Sequence, residues 1–293
     1  MPMKAVLLTR EYPPAVYGGA GVHVEYLSRE LARLIDVEVR CWGEPRAPGP
    51  GEPAVRAYEA WDILTSQQPY SAALQTLSID LAMANEMEGA SIAHSHTWYA
   101  NMAGHLAKLA YGIPHVMTSH SLEPLRPWKA EQLGAGGYRV SSWCERTAID
   151  AADAVIAVSG AMRQDIVSSY PEIDAGKVEV IHNGIDTEQY RPDPGTDVLD
   201  QYGISTDAPY VVFVGRITRQ KGVTYLVDAA LEFDPSAKAV LCAGAPDTEE
   251  IGREMEEKVE LLREKRGNVL WIDKMLQKSE VIQIGRASCR ERV

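Results

Sequence analysis

The chain has 293 residues, of which 45% are hydrophobic, and this is the composition of an ordinary globular protein with room for two domains. A net charge of −12 argues against a nucleic-acid or anionic membrane-surface partner, because such partners require a basic footprint. The sequence contains no apolar run long enough to predict a membrane span, and its N-terminus has no cleavable signal pattern. The four cysteines are scattered without metal-binding spacing, which favours reduced thiols and a cytoplasmic location.

Predicted strands and helices alternate from the N-terminus onward, which is typical of parallel β-α-β units and predicts the α/β class. Short apolar runs predict strands at residues 5–9, 37–42, 91–94, 115–118, 154–159 and 178–181. Apolar residues at helical spacing predict helices at residues 21–34, 74–87, 97–110, 143–152 and 160–169. Residues 43–52 and 121–137 are rich in proline and glycine, so we expect a surface loop and a long irregular segment there.

Turn-forming residues between Asn183 and Gly195 predict a domain boundary. We therefore expect an N-terminal domain at residues 1–190 and a C-terminal domain at residues 205–283. The second domain contains predicted strands at residues 210–214, 239–243 and 268–272 and predicted helices at residues 223–233 and 249–266. Because a doubly wound sheet usually has about five or six strands, we expect this second domain to be incomplete.

Residues 284–293 have no apolar period, and their sequence resembles a translated sequencing adapter. We expect them to be a non-native tail; a genuine basic tail is the alternative.

The run from Phe213 to Gly222 places two cations, Arg216 and Lys221, just beyond a predicted parallel strand and near the start of the next helix. Ligands of open α/β sheets bind at the carboxyl ends of the strands, and a helix N-terminus favours anions. Arginine offers a planar fork to phosphate oxygens and lysine a point charge, so the run fits a diphosphate. Ordinary surface cations are the alternative interpretation.

Gly18 and Gly19 lie in a glycine-rich loop between the first strand and the first helix. The absence of a side chain lets a ligand approach this backbone closely. A dinucleotide fingerprint is disfavoured, because its glycines follow the strand directly and here an intervening segment contains prolines. The loop is therefore predicted to shape the floor of a cleft, with a flexible connector as the alternative.

His120 follows the strand at residues 115–118, and a histidine in this position points into the ligand crevice of an α/β sheet. It is predicted to bind a hydroxyl group or exchange a proton there, with a hydrogen bond to the local backbone alone as the alternative. His94 and His96 share one face of another strand, but no third ligand lies at a useful sequence spacing, so we expect no metal. The remaining histidines (His23, His105, His115 and His182) are interpreted as structural.

Two further pairs of polar residues have less definite signals. Glu145 and Arg146 are predicted to be a solvated pair on a helix, with a position facing the cleft as the alternative. Asn183 and Asp186 lie in a tight turn, where they are expected to cap the backbone.

Taken in order, several motifs resemble the retaining glycosyltransferases of the GT-B fold, family four. They are Thr9-Arg-Glu-Tyr-Pro-Pro, Tyr17-Gly-Gly-Ala-Gly-Val-His-Val, His94-Ser-His-Thr-Trp, Thr118-Ser-His-Ser-Leu-Glu-Pro-Leu-Arg-Pro-Trp-Lys, Val158-Ser-Gly, Asn183-Gly-Ile-Asp and Val214-Gly-Arg-Ile-Thr-Arg-Gln-Lys-Gly. The resemblance covers residues 3–283 and is strongest to actinobacterial members that act in glycogen or maltose 1-phosphate synthesis.

The resemblance implies two Rossmann-like domains that face each other across a cleft. It implies a nucleotide-sugar donor, ADP-glucose above all, and a glucan or glucose 1-phosphate acceptor. Arg216 and Lys221 match the family's diphosphate-binding residues, His120 the histidine at the reaction centre, and Gly18 and Gly19 the loop near donor phosphate or acceptor. Members retain the anomeric configuration and usually need neither metal nor cofactor. His96 and Asn183 are further candidates for the cleft.

The family's carboxylate pair and second glycine loop are expected after residue 283, so we expect the chain as given to be inactive. The lysine that related synthases of another family carry in the first glycine loop is absent, which leaves the acceptor open. Two alternatives remain: a transferase that uses a UDP or GDP sugar, and an inactive sugar- or nucleotide-binding module.

Overall fold

The computed structural model describes residues 3–16, 18–49, 51–191, 193–205, 207–274 and 276–288. The chain forms two compact units, Met1–Ile185 and Asp186–Val293, and each has its own sheet. Among the described residues, no helix combines the length and the apolarity needed to cross a membrane.

Within the described residues, the first unit contains a seven-stranded sheet in the order β3-β2-β1-β4-β5-β6-β7, and all of its pairings are parallel. Its strands are β1 (Lys4–Leu8), β2 (Asp36–Trp42), β3 (Ala54–Tyr58), β4 (Ile92–His96), β5 (His115–Ser119), β6 (Ala154–Ala157) and β7 (Val178–Val180). Its helices are α1 (Gly19–Leu31), α2 (Ser71–Ala84), α3 (Trp98–Tyr111), α4 (Lys129–Ala151) and α5 (Gly160–Ser169).

Helices cover both faces of this sheet, as the near-continuous apolar sequence of β1 requires. Val6 and Leu8 point to one face, where they pack with residues of α2 and α3. Leu7 points to the other face and packs with Val24 of α1. Successive side chains of a strand alternate between faces, so β1 is buried on both sides. Because β1, β4 and β5 are parallel neighbours, their carboxyl ends lie along one edge of the sheet.

The second unit has a three-stranded parallel sheet within the described residues, in the order β10-β9-β8. Its strands are β8 (Tyr210–Arg216), β9 (Lys238–Gly244) and β10 (Val269–Ile272), and its helices are α6 (Asp197–Gln201), α7 (Val223–Ala229), α8 (Glu249–Arg266) and α9 (Lys278–Ser288). The buried face of α8, which includes Met255 and Val259, packs on Leu241 of β9. The predicted α/β class with parallel sheets is confirmed.

The segment at residues 121–137 is not irregular throughout, because α4 begins at Lys129. Gly134 interrupts this helix with a φ of 66°, a conformation that glycine adopts without a steric penalty. Gly137 lies so close to α2 that an added Cβ would be 3.2 Å from the Tyr70 Cα. The glycines that suggested a loop therefore allow the helix to kink and to pack closely.

Two further regions extend the sequence analysis. Strand β3 was not predicted. The proposed tail overlaps α9, in which Ile284 is fully buried and accepts a hydrogen bond of 2.7 Å from the Tyr210 hydroxyl to its carbonyl oxygen. Residues 289–293 lie outside the described residues, and the non-native origin of residues 284–293 stays a prediction.

Candidate active site

Four histidines meet at the edge of the first sheet where β4 and β5 end. His96 Nδ1 lies 3.3 Å from His120 Nε2, and the two rings are stacked at a centroid distance of 5.6 Å. His23 of α1 approaches the His120 ring to 5.0 Å, and His94 approaches the His96 ring to 4.3 Å. His120 and His96 were candidates from the sequence. His23, interpreted there as structural, belongs to the same cluster because α1 crosses this edge.

Burial keeps these imidazoles neutral. Burial, with a smaller contribution from the neighbouring imidazoles, lowers the pKa of His120 to about 3 and that of His94 to about 3. The pKa of His96 lies well below the ordinary 6.5 for the same reasons, and that of His23 is lowered by burial. A neutral imidazole has one donor and one acceptor nitrogen. The cluster can therefore donate to a ligand oxygen or accept from a hydroxyl near neutral pH.

The cluster also contains a possible set of metal ligands. Ring nitrogens of His23, His96 and His120 all lie within 4.8 Å of one another. Two imidazole nitrogens on one tetrahedral zinc ion are about 3.4 Å apart, close to the His96–His120 separation. Sequence spacing did not reveal this set, because α1 supplies the third imidazole from a distant part of the chain. That the protein uses no metal stays a prediction.

The glycine loop leads into α1 beside this cluster, and Gly19 is the first residue of the helix. Gly18 precedes the helix, and its amide donates a hydrogen bond of 2.6 Å to Glu11 Oε2. An added Cβ at Gly21 would lie 2.6 Å from the Glu11 Cβ, whereas the space beside Gly19 is open. A carboxylate at a helix N-terminus is stabilised by the helix dipole. The loop is thus shaped around Glu11, which the sequence analysis did not single out.

A buried carboxylate network fixes the segment that follows His120. Glu145 is 3% exposed, and it accepts hydrogen bonds from the Glu123 amide at 2.8 Å and from the Tyr170 hydroxyl at 2.6 Å. Burial raises the pKa of Glu145 to about 8. The predicted solvated pair is therefore wrong for Glu145, while Arg146 is exposed and pairs with Glu172. Helix α4 turns Glu145 inward, where it anchors the backbone just after His120.

The turn between β4 and α3 is strained. Thr97 has φ 64° and ψ 163°, a combination that residues other than glycine rarely adopt. It directly follows His96 and precedes Trp98 and Tyr99, whose rings lie 4.3 Å apart. The strain therefore sits between the histidine cluster and a group of aromatic residues.

The second unit contains both predicted diphosphate ligands. Arg216 is the last residue of β8 rather than part of the following loop, and its Nη1 donates to Asp247 Oδ1 at 2.8 Å. Lys221 ends a short 3-10 turn (Arg219–Lys221), its amide donates a hydrogen bond of 3.2 Å to Thr218 Oγ1, and its side chain is exposed. Asp247 was missed because it follows a different strand. The roles of Arg216 and Lys221 in binding stay predictions.

Asn183 lies exposed in the connection between the two units. Among the described residues, no hydrogen bond joins its side chain to the histidine cluster. Its place in a cleft stays a prediction.

Two units that each carry a parallel sheet with helices packed against it, with polar residues at the strand ends, match the architecture of the GT-B glycosyltransferase fold. Residues 17–189 match the model of Glycosyltransferase Family 4. The chain is 53% identical over 285 residues to alpha-maltose-1-phosphate synthase of Mycolicibacterium smegmatis, and the alignment covers 96% of this chain and 71% of that protein. It is 27% identical over 239 residues to D-inositol 3-phosphate glycosyltransferase of the same species, covering 78% of this chain and 54% of that protein. The chain belongs to glycosyltransferase family 4.

Solved structures agree with this fold. Sucrose-phosphate synthase from Thermosynechococcus elongatus superposes with a TM-score of 0.75 at 18% identity, covering 98% of this chain and 74% of that one. The catalytic domain of starch synthase IV from Arabidopsis thaliana, bound to ADP and acarbose, superposes with a TM-score of 0.70 at 18% identity, covering 96% of this chain and 76% of that one. At this identity the likeness supports the GT-B fold, as the motifs indicated.

Proposed function

We propose that the protein is a retaining α-glucosyltransferase that moves glucose from ADP-glucose to a glucan or to glucose 1-phosphate, in glycogen or maltose 1-phosphate synthesis. The observation that carries the proposal is the 53% identity, over 96% of this chain, to a protein named alpha-maltose-1-phosphate synthase. The proposal includes a cytoplasmic site of action, in keeping with Cys41, Cys144 and Cys242, which are free and buried.

In the proposed reaction, the bond between the anomeric carbon and the diphosphate oxygen breaks, and an acceptor hydroxyl forms the new bond on the same face. The leaving phosphate takes the hydroxyl proton. Arg216 and Lys221 stabilise negative charge as it develops on the leaving group. His120, neutral at physiological pH, supplies a hydrogen bond to the sugar at the reaction centre. No step requires a metal ion or a cofactor.

The donor base is open to an alternative. One structural neighbour is described as a complex with UDP-glucose, and another is bound to ADP. Both bear only on fold at this identity, so they leave UDP- and GDP-sugars as the second candidate donors.

The test is a transfer assay with ADP-, UDP- and GDP-glucose, each with glycogen or glucose 1-phosphate as acceptor. It should be run on this chain and on a chimera that continues with the remaining C-terminal sequence of the M. smegmatis relative. We expect the chimera to prefer ADP-glucose and to give an α-linked product. Preference for another nucleotide would overturn the donor assignment, and nucleotide-sugar binding without transfer would favour an inactive binding module.

A further inference from the structure

Two cations converge on one tyrosine at the edge of the first sheet. The Arg10 guanidinium lies 4.2 Å from the centre of the Tyr99 ring and 5.0 Å from that of Trp42. The Lys129 ammonium lies 5.2 Å from the same tyrosine ring and donates a hydrogen bond of 3.0 Å to its hydroxyl. Trp42 packs edge-on against Tyr99 at 5.8 Å.

Lys129 is only 5% exposed. Among the described residues, its ammonium has a neutral phenol as its hydrogen-bond partner and no carboxylate oxygen within 4.0 Å. A buried ammonium without a counter-ion is costly, so its retention here requires a reason.

The surroundings do not neutralise this charge. Glu123 is the carboxylate that acts on Tyr99, but its oxygens accept from Ser141 at 2.6 Å and lie 3.9 Å from Arg126. Burial alone would raise the pKa of the Tyr99 phenol, yet Lys129 and Arg10 outweigh it and the pKa lies below the usual 10. A lowered phenol pKa reports a positive potential at the ring oxygen.

Hydrogen-bond donors are also in excess around Tyr99. The indole Nε1 atoms of Trp42 and Trp98 are buried and have no acceptor among the described residues. The Trp98 ring lies 4.3 Å from the Tyr99 ring at a tilt of 34°, and Trp42 packs against Tyr99 edge-on. Buried donors are normally satisfied, so this surplus favours a ligand made of acceptor oxygens.

The group lies on the same sheet edge as the histidine cluster. Arg10 follows β1, and Tyr99 opens the helix that follows β4, while His120 follows β5. The strand order β1-β4-β5 separates Arg10 from His120 by two strand spacings, roughly 10 Å. This separation suits a molecule with an anionic group at one end and a sugar hydroxyl at the other.

We propose that Lys129, Arg10 and Tyr99 form an anion subsite that binds the phosphate of a sugar-phosphate acceptor. The assignment rests on the proposed glucosyl transfer for its biological meaning, but the subsite binds its ligand without a donor. A phosphate dianion supplies both the missing counter-ion of Lys129 and oxygen acceptors for the surrounding donors. The acceptor hydroxyl is thereby directed toward His120.

The test is calorimetric titration of this chain with glucose 1-phosphate, which needs no transfer reaction. In Lys129→Gln we expect the dissociation constant to rise by roughly ten- to a hundredfold, because a charge-assisted contact is lost. Lys129→Arg should keep most of the affinity. Arg139→Gln makes the same charge change at an exposed position of the same helix and serves as the matched control.

Equal affinity in the wild type and in Lys129→Gln would overturn the subsite, as would no binding by the wild type. Arg10→Gln should also raise the dissociation constant for glucose 1-phosphate. It provides a second test if Lys129→Gln does not fold. In the chimera, Lys129→Gln should raise KM for glucose 1-phosphate and leave KM for ADP-glucose unchanged. If the chimera transfers glucose to no acceptor, the proposed function fails, while the calorimetric result still decides the subsite.

Discussion

Arg216 forms an ion pair with a carboxylate of the second unit. Its ion pair with Asp247, 2.8 Å long, fixes the guanidinium at the end of β8. In the chimera we expect Arg216→Ala or Lys221→Ala to lower the transfer rate by about a hundredfold or more, because each removes charge stabilisation of the leaving group. Steady-state transfer from ADP-glucose measures this, with Arg253→Ala on the exposed side of α8 as the control. Transfer rates near the wild-type rate in both variants would show that Arg216 and Lys221 are ordinary surface cations.

His120 offers a separate prediction about turnover. If its hydrogen bond forms mainly in the transition state, His120→Ala in the chimera lowers kcat more than it raises KM for the donor. His182→Ala, at an exposed position outside the cluster, should change neither constant. Unchanged turnover with only a raised donor KM would show that His120 contributes to ground-state binding alone.

At the scale of elements, α3 packs on β5 without room for a methyl group. A Cβ added at Gly104 would lie 2.3 Å from His115 Nε2, whereas nothing lies within 4 Å of one added at Gly160, the first residue of α5. We expect Gly104→Ala to lower the free energy of unfolding by about 1–3 kcal/mol through overpacking. Gly160→Ala should be neutral or slightly stabilising. Urea unfolding of both variants compares them, and a stable Gly104→Ala would mean that α3 can shift away from β5.

Buried titratable groups give the folded chain an optimum of stability near pH 6.5. The pKa values of His94 and His115 are lowered to about 3 and about 4, so the unfolded chain takes up protons below pH 6.5 that the folded chain does not. Stability from these groups is complete above pH 6.5 and is lost as the pH falls, by about 1.4 kcal/mol per pH unit for each histidine.

Glu145 acts in the opposite direction. Its pKa of about 8 exceeds the ordinary 4.5, so the folded chain holds a proton that the unfolded chain releases between pH 4.5 and 8. Its contribution therefore falls as the pH rises through this window, while the histidines outweigh it below pH 6.5. Unfolding free energies measured from pH 4.5 to 8.5 should pass through a maximum, and Glu145→Gln should make the decline above pH 6.5 shallower; the buried Asp80, whose pKa is also raised by burial, contributes to the remainder. A monotonic profile would contradict this assignment.

The sequence predicted most of the strands and helices because their apolar residues recur at regular spacing, as in α1 and α8. It missed the first turns of α4, since the glycines that permit a kink and close packing also favour loops. The composition of the site was only partly predictable. His120 could be predicted because it comes directly after an apolar strand in the sequence. The approach of His23 and the partners of Lys129 depend on which elements the fold brings to one edge of the sheet, and no local sequence pattern encodes that.

At the scale of the molecule, each hydrophobic core belongs to one unit. Ile166 and Tyr170 pack within the first unit, and Ile251 and Ile284 pack within the second. The connection at residues 181–189 is exposed at every position. We expect limited proteolysis to cut there first and to leave a resistant N-terminal fragment, because exposed segments between cores are the preferred sites of cleavage. Mass spectrometry identifies the site, and a first cut inside residues 43–49 would contradict the prediction.

Thr97 has a consequence for how this protein can change over evolutionary time. A residue held at φ 64° costs on the order of 1–3 kcal/mol, and glycine at that position would relieve most of it. Selection for heat resistance alone would therefore favour glycine, and selection for accurate placement of two neighbouring binding groups would oppose it. If relatives from hot environments keep threonine at this position, the relative placement of His96 and Tyr99 is under stronger selection than the stability of the fold.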